Sequence, residues 1–278
     1  MKKAIGYLGP EGSYSHEVAM YIMGERSKLL ALEPSKFAQL LREKKIWQAV
    51  LPIANAIGGQ VQWVLDLLLS SNGDYEITRE IIWNIRSHLI GFGKKGEIRT
   101  ICSHSQPLDQ CQRFLAKMPG IVTQGMTSTS VAVRFVADKK SSEWAAIGTD
   151  RAAEMYGVPI IARNISDQDN QTRFVVLGGK KSFSTGKDKT SLLFSTANRS
   201  GALLRVLEIF DALAINMTTL FSMPSPNKKL GECFFFVDMS GHRRDKDLSV
   251  ALDKIKTRVE YLKILGSYPE SICVANVD

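Results

Sequence analysis

Short apolar runs that end in glycine or proline turns, each followed by a helical pattern, constrain the fold of this chain most strongly. Residues 3–8 form such a run and lead into a turn at residues 9–13, after which a helix is predicted over residues 15–23. A second run covers residues 48–53, and the apolar residues from Val61 to Leu68 share one face of the helix after it. Further strands are predicted at residues 76–83, 87–91, 100–103 and 144–148, with helices at 107–116, 128–137 and 150–156. This alternation is typical of an α/β fold with a mostly parallel sheet covered on both faces.

A change of domain is predicted at residues 178–187, which are rich in Gly, Ser and Lys and offer little to a core. Beyond them the pattern predicts strand 190–196, helix 200–213, strands 217–223 and 232–239, helix 246–262 and strand 264–267, with a hairpin loop at 224–231. The order βαββαβ is that of a ferredoxin-like unit, a fold often used to bind small ligands. We therefore expect one domain over residues 1–180, a linker over 181–188 and a second domain over 189–278.

Composition excludes several classes of protein. The hydrophobic fraction of 44% and the charged fraction of 23% are ordinary for a globular chain. No apolar run approaches the roughly 20 residues of a membrane span, and we find no signal peptide, so a cytoplasmic protein without a membrane partner is expected. The four cysteines contain no C-x-x-C pair and fit reduced thiols, and the spacing of Cys102, His104 and Cys111 matches no common zinc site. We expect no bound metal.

The net charge of +8 bears on the class of ligand. The basic residues are scattered through predicted loops instead of forming one face with aromatic residues, so no nucleic-acid partner is expected. Anionic small molecules fit this charge better. The glycines between residues 6 and 12 lack the spacing of a dinucleotide site, and no cofactor is expected.

Five short motifs carry a family resemblance. They cover residues 7–17, 52–61, 103–111, 128–132 and 170–174, the last of which contains Thr-Arg-Phe. Together, and in this order, they resemble the motifs of prephenate dehydratases. The C-terminal region resembles an ACT domain, with Gly201, Ala202 and Leu203 at its first helix and residues 231–238 in its third strand. The resemblance implies a two-lobed, periplasmic-binding-protein-like (type II) catalytic domain with prephenate in its cleft. It also implies an ACT domain that senses phenylalanine in relatives, with Gly201, Ala202 and Leu203 as effector-binding residues, and that pairs chains into a homodimer or homotetramer.

The resemblance also assigns roles to residues. Thr172 would be the general acid that helps the ring hydroxyl of prephenate to leave, and Arg173 would hold a substrate carboxylate through two parallel hydrogen bonds. Further substrate-binding positions are Asn55, Ser103, Gln110, Ser13, Ser128, Thr129 and Phe174. Ser13, Ser128 and Thr129 are also ordinary helix N-caps, so their spacing alone leaves a separate ligand role open. His16 and His104 are expected to be structural hydrogen-bonding groups and not a catalytic pair.

Two segments depart from the family pattern. In the Pro-Ile-Glu-Asn-Ser loop, Ala54 and Ala56 replace the glutamate and the serine, which we expect to lower turnover. In the Glu-Ser-Arg-Pro effector motif, Phe221 and Met223 replace both charged residues, so phenylalanine is expected to bind weakly or not at all. The alternative role for Phe221 and Met223 is packing in an interface. Three functions stay open: a prephenate dehydratase, a non-catalytic relative that binds prephenate or another aromatic ligand, and a dehydratase that acts on arogenate.

Overall fold

The computed structural model of the chain describes residues 4–24, 28–225, 233–271 and 273–274. Two lobes face each other across a cleft, and a C-terminal unit packs against the first lobe. The chain begins in the first lobe, crosses to the second near residue 86, and returns near residue 170. Within the described ranges, no helix is long and apolar enough to span a membrane.

The first lobe begins with alternating strands and helices. Its strands β1 and β2 are parallel, as are β1 and β3, and the helices pack against this sheet around Phe37, Leu51 and Leu65. Pro34 opens α2 at a position where the missing N–H costs nothing. The elements are β1 (Ala4–Leu8), α1 (Tyr14–Met23), β2 (Lys28–Leu32), α2 (Pro34–Arg42), β3 (Gln48–Asn55), β4 (Gly59–Gln60), α3 (Gln62–Leu69) and β5 (Ile77–Asn84).

The second lobe has a five-stranded sheet of its own. Its elements are β6 (His88–Gly91), β7 (Thr100–Ser103), α4 (Ser105–Asp109), α5 (Gln112–Leu115), β8 (Val122–Gly125), α6 (Thr129–Lys139), β9 (Trp144–Gly148), α7 (Asp150–Tyr156) and β10 (Ile160–Ala162). The strand order is β10-β6-β9-β7-β8. The single helix predicted over residues 107–116 is two short helices, because the backbone of Cys111 leaves the helical region with φ −121° and ψ 22°.

Strand β11 (Gln171–Gly178) returns the chain to the first lobe and lies between β3 and β5. It is antiparallel to both neighbours, and β6 is antiparallel to both of its neighbours in the second lobe. Both sheets are therefore mixed, and the prediction of mostly parallel sheet is wrong. In the first lobe the cause is the return crossing, which inserts the late strand β11 in the opposite direction between β3 and β5. In the second lobe it is β6, the strand by which the chain enters that lobe.

The C-terminal unit follows residues 179–187, which contain neither helix nor strand. Its elements are β12 (Asp188–Ser195), α8 (Ala202–Ala212), β13 (Met217–Pro224), β14 (Cys233–Ser240), α9 (Lys246–Lys256) and β15 (Tyr261–Pro269). The sheet order is β13-β14-β12-β15, with every pair antiparallel, so the predicted βαββαβ order is confirmed. The predicted helix over residues 246–262 ends at Lys256, because residues 261–263 pair with β12. Most of the predicted hairpin loop, residues 226–231, lies outside the described residues.

The C-terminal sheet is covered on both faces. Helices α8 and α9 bury one face around Val206, Phe210 and Leu252. The other face shares a hydrophobic cluster with the first lobe, to which it contributes Phe236 and Tyr268. A last strand, β16 (Cys273–Val274), pairs with β5 and so extends the sheet of the first lobe. The C-terminal unit is therefore in direct contact with the lobe that carries β11.

Candidate active site

The cleft between the lobes encloses about 300 Å³, at the lower end of the range for small-molecule sites. The first lobe contributes the loop after β1 and the adjoining ends of β3 and β11, and the second contributes the starts of α4 and α6. The lining residues that carry polar side chains are Ser13, Tyr14, Ser15, Asn55, His104, Gln106, Gln110, Thr127, Ser128, Thr129, Asn170 and Thr172. Among the described lining residues none is Lys, Arg, Asp or Glu. The cleft therefore offers a ligand neutral donors and acceptors.

Two helix N-termini meet at the cleft. Ser13 caps α1, with its hydroxyl accepting from the His16 N–H at 3.3 Å, and Ser128 caps α6, with its hydroxyl accepting from the Val131 N–H at 3.1 Å. Thr129 follows as the first residue of α6 and also lines the cleft. The first turn of the 11-residue helix α6 carries the positive end of its dipole, which favours a bound anion.

Thr172 and Asn55 face each other across paired strands at the base of the cleft. They are register partners in β11 and β3, and Asn55 Nδ2 donates to Thr172 Oγ1 at 2.8 Å. Thr172 is buried apart from 7% of its surface. Phe174, two residues further along β11, lines the same cleft, because alternate residues of a strand share a face.

Asn170 joins this group, although it was not predicted to be a site residue. Its Oδ1 accepts from Asn55 Nδ2 at 2.8 Å, and its Nδ2 donates to Gln110 Oε1 at 3.2 Å. The signal was present in the sequence, since Asn170 precedes Thr172 by two positions and so shares its face of an extended chain. The structure thus brings together two predicted residues, Asn55 and Gln110, through a third that was missed.

Arg173 lies outside the cleft. Its Nε donates to Glu80 Oε2 at 2.6 Å, its Nη2 donates to the Tyr268 hydroxyl at 2.7 Å, and its Nη1 pairs with Asp238. Because successive residues of β11 point to opposite faces, the neighbours of Thr172 turn away from the ligand side. This geometry contradicts the expectation that Arg173 holds a substrate carboxylate.

Ser103 does not line the cleft either. Its side chain is completely buried in the second lobe, and its hydroxyl donates to the Ile147 carbonyl at 2.7 Å. The expectation that Ser103 positions the substrate is therefore wrong, because the hydroxyl is used inside the lobe. A four-residue strand gives no sequence signal that separates its cleft face from its core face.

Both histidines near the cleft accept hydrogen bonds from nearby backbone N–H groups. His16 Nδ1 accepts from the Gly12 N–H at 3.0 Å, and its ring stacks on Tyr7 with centroids 4.8 Å apart. Burial lowers the pKa of His16, which favours the neutral ring that this acceptor role requires. His104 Nδ1 accepts from the Gln106 N–H at 3.4 Å at the start of α4.

The two lobes also contact each other beside the cleft. The Thr149 hydroxyl donates to the Gly12 carbonyl at 2.9 Å, and the Arg151 N–H donates to Glu17 Oε1 at 3.2 Å. Burial raises the pKa of Glu17 from its ordinary value of 4.5 to about 7. Helices α1 and α7 are therefore joined by backbone and side-chain hydrogen bonds across the cleft wall.

Comparison with known proteins decides the family. The family model for prephenate dehydratase matches residues 5–182. The chain belongs to the prephenate dehydratase family. A bifunctional chorismate mutase/prephenate dehydratase of Aquifex aeolicus is 34% identical over 276 residues, which are 98% of this chain and 75% of that protein. A prephenate dehydratase of Methanocaldococcus jannaschii is 33% identical over 277 residues, covering 97% of this chain and 99% of its own length.

Solved structures show the same fold over nearly the whole chain. A prephenate dehydratase of Arthrobacter aurescens in complex with L-Phe has a TM-score of 0.87 at 24% identity and covers 96% of this chain and 90% of its own. A second structure, described as GqqA, a novel type of quorum quenching acylases, has a TM-score of 0.85 at 26% identity, with coverages of 97% and 98%. The fold of the prephenate dehydratase family thus also occurs in a protein described by a different activity.

The two alanines that depart from the Pro-Ile-Glu-Asn-Ser loop of prephenate dehydratases lie in different places. Ala54 is the register partner of Arg173 and packs against the cluster shared with the C-terminal unit, so its side chain points away from the cleft. Ala56 is exposed, and its N–H donates to the Gln171 carbonyl at 2.8 Å. Position 54 is thus paired with Arg173, and neither Ala54 nor Ala56 is among the described residues that line the cleft.

The predicted effector residues lie in the C-terminal unit. Gly201 begins α8 with a positive φ of 73°, and Ala202 and Leu203 line a separate cavity of about 460 Å³. Phe221 stacks on Phe236 with centroids 4.9 Å apart and, like the buried Met223, belongs to the cluster shared with the first lobe. Neither Phe221 nor Met223 lines that cavity in the described part of the chain.

Proposed function

We propose that this chain is a prephenate dehydratase, which converts prephenate into phenylpyruvate, water and carbon dioxide. One observation carries the proposal: Asn55 Nδ2 lies 2.8 Å from Thr172 Oγ1. A side-chain amide nitrogen only donates, so the threonine oxygen must be the acceptor. The hydrogen of the Thr172 hydroxyl is then free to be given to the ring hydroxyl of a substrate in the cleft.

The proposed reaction transfers that proton to the departing oxygen. As the ring C–O bond breaks and water leaves, the electron pair of the bond to the ring carboxylate moves into the ring and carbon dioxide departs. The ring becomes aromatic, which drives the step forward, and the Thr172 oxygen recovers a proton from solvent. General acid catalysis of this kind contributes about 10²–10⁴-fold to a rate.

The cleft can bind a dianionic substrate by hydrogen bonds and a helix dipole instead of by charged side chains. None of the described lining residues is Lys or Arg. The first turn of α6, capped by Ser128, supports binding of one carboxylate, since free amides and the helix dipole favour anions. Donor side chains such as that of Gln110 support binding of the other.

The first experiment follows phenylpyruvate formation from prephenate by the purified chain. Thr172→Val keeps the shape of the side chain and removes its hydroxyl, so kcat is expected to fall about a hundredfold or more. Thr123→Val, at an exposed position on β8, is the matched control and is expected to retain wild-type kcat.

Three outcomes would overturn the proposal. Prephenate binding without turnover indicates a non-catalytic relative, and turnover of arogenate in preference to prephenate indicates the other dehydratase. Hydrolysis of an N-acyl amide, with no reaction on prephenate, indicates an acylase. A Thr172→Val variant as active as wild type would refute the role of Thr172.

We also propose that the C-terminal unit is an ACT domain through which a cytoplasmic homodimer or homotetramer forms, as its βαββαβ order and the family resemblance support. Weak or absent phenylalanine feedback is expected, since Phe221 and Met223 supply no charge to pair with an amino-acid zwitterion. Calorimetry is expected to show no binding of phenylalanine at micromolar concentration. A micromolar Kd would contradict this.

A further inference from the structure

A chain of side-chain amides runs along one wall of the cleft. Asn55 Nδ2 lies 2.8 Å from both Thr172 Oγ1 and Asn170 Oδ1, and Asn170 Nδ2 lies 3.2 Å from Gln110 Oε1. We call Asn55, Asn170 and Gln110 the amide relay. It connects the first lobe, through the return crossing, to α4 of the second lobe.

The backbone fixes the direction of the relay. The N–H groups of Ile57 and Gly58 lie 3.0 Å and 2.7 Å from Asn55 Oδ1, and a backbone N–H only donates, so the Asn55 atom that faces them must be oxygen. Asn55 Nδ2 therefore donates to Asn170, and the acceptor must be Asn170 Oδ1. Asn170 Nδ2 then donates to Gln110, and the acceptor must be Gln110 Oε1. Every amide orientation in the relay follows from the loop at residues 55–58.

Glycine at position 58 allows this loop to approach so closely. A Cβ atom at Gly58 would lie 3.3 Å from Asn55 Oδ1 and 3.1 Å from Gln106 Nε2, closer than side chains normally pack. The Gly58 N–H can thus approach Asn55 Oδ1 closely because residue 58 has no side chain.

The far end of the relay is an unused donor. Gln110 Nε2 is buried and has no hydrogen-bond partner among the described residues, although Gln110 lines the cleft. A buried donor without an acceptor is costly, and a ligand oxygen would remove that cost. The cleft thus has a donor next to each end of the relay: the Thr172 hydroxyl, which is held by Asn55, and the Nε2 group of Gln110.

We infer that Asn170 is a positioning residue that holds Gln110 with its Nε2 available to a carboxylate oxygen of the substrate. The inference rests on the proposed function for the identity of that substrate. Asn170 meets this role because it must accept on one side and donate on the other, which an amide or a protonated acid can do and a carboxylate cannot.

The variant Asn170→Asp tests the direction of the relay. Its ionised carboxylate accepts on both sides, so Gln110 must turn its nitrogen inward and present its oxygen to the substrate. The KM for prephenate is then expected to rise about tenfold, the effect of one ordinary hydrogen bond, with a smaller change in kcat because Asn55 still donates to Thr172. As the pH is lowered, the protonated acid accepts from Asn55 and donates to Gln110. The ratio of variant to wild-type KM is therefore expected to fall toward one.

The control is Asn170→Leu, which can neither accept nor donate. Its KM is expected to be raised at every pH, with no recovery in acid. A residue that only fills space would give Asn170→Asp a KM ratio that does not change with pH. That result, or an Asn170→Asp variant with wild-type KM throughout, would overturn the inference.

A second measurement separates the relay from the proposed function. If wild type forms no phenylpyruvate, the proposed function fails, and the relay is tested by the ¹⁵N–¹H signals of side-chain amides. In Asn170→Asp the Gln110 amide signals are expected to move as the introduced carboxyl titrates, and to stay fixed in wild type over the same pH range. Signals that do not move in the variant would contradict the relay.

Discussion

At the scale of single residues, the chemistry of the cleft depends on groups whose hydrogen-bonding role is fixed. The Thr172 hydroxyl can donate to a substrate because the one contact that Asn55 makes with it uses the threonine oxygen as acceptor. The identity of residue 55 therefore controls the availability of the proton as well as the position of the hydroxyl.

The variant Asn55→Asp tests whether residue 55 determines the availability of the Thr172 proton. An ionised carboxylate cannot donate, so the Thr172 hydroxyl would donate to it and withdraw its hydrogen from the cleft. We expect kcat for prephenate to fall about a hundredfold, comparable to the loss of a general acid. Asn72→Asp, at an exposed position, makes the same chemical change away from the cleft and is expected to leave kcat unaltered. Equal kcat values for the two variants would show that the direction of the Asn55 bond is unimportant.

Sequence motifs located most of these residues but gave no orientation for them. Asn55, Gln110 and Thr172 were predicted and do line the cleft. Arg173 was misassigned because its partners Glu80 and Asp238 lie 93 and 65 residues away, a distance along the chain at which no local pattern operates. Recognising β11 as a strand would have placed Arg173 and Thr172 on opposite faces.

At the scale of elements, β5, β11, β12 and β14 meet in a buried cluster of charges. Arg173 lies between Glu80 and Asp238, and Lys189 Nζ donates to the second oxygen of Glu80 at 2.8 Å. The carboxylates of Glu80 and Asp238 are completely buried, and two positive groups balance two negative ones. The cluster joins the strand of Thr172 to the C-terminal unit.

Asp238→Asn leaves this cluster with an excess positive charge in a buried site. Removing one partner of a buried ion pair leaves the other charge buried without compensation, so the free energy of unfolding is expected to fall by about 3–5 kcal/mol. The control is Asp253→Asn, which breaks the exposed pair with Lys256 and is expected to cost at most about 0.5 kcal/mol. Denaturant unfolding of both variants measures the difference. Equal losses in the two variants would mean that the buried cluster contributes no more than a surface pair.

Elements were predictable where apolar runs and turns are well separated. The predicted strand at residues 100–103, for example, has those bounds in the structure. Strand β2 and helix α2 were missed, since the run Lys28–Leu32 is short and its alternation weak, and no loop separates it clearly from the helix. The antiparallel insertion of β11 was also missed. Its direction depends on how the chain re-enters the first lobe after the second lobe, and no local sequence pattern shows this.

At the scale of the whole molecule, one strand, β11, takes part both in the cleft between the lobes and in the contact with the C-terminal unit. β11 follows the return crossing, carries Thr172 toward the cleft, and carries Arg173 toward the C-terminal sheet. The pattern of apolar runs predicted the βαββαβ unit, and the family resemblance implied the two lobes. Neither indicated the hydrophobic cluster that joins the C-terminal unit to the first lobe. Contacts between domains depend on faces that each domain presents only after it has folded.

The proposed role of Thr172 as general acid is tested by kcat for phenylpyruvate formation from prephenate by wild type, Thr172→Ser and Thr172→Val. The serine variant, which keeps a hydroxyl that Asn55 can hold, is expected to retain measurable turnover, and the valine variant is expected to lose about a hundredfold or more. Binding of prephenate to all three, followed by calorimetry, ensures that the loss lies in the chemical step. Equal kcat values for Thr172→Val and wild type would show that the Thr172 hydroxyl is not the general acid.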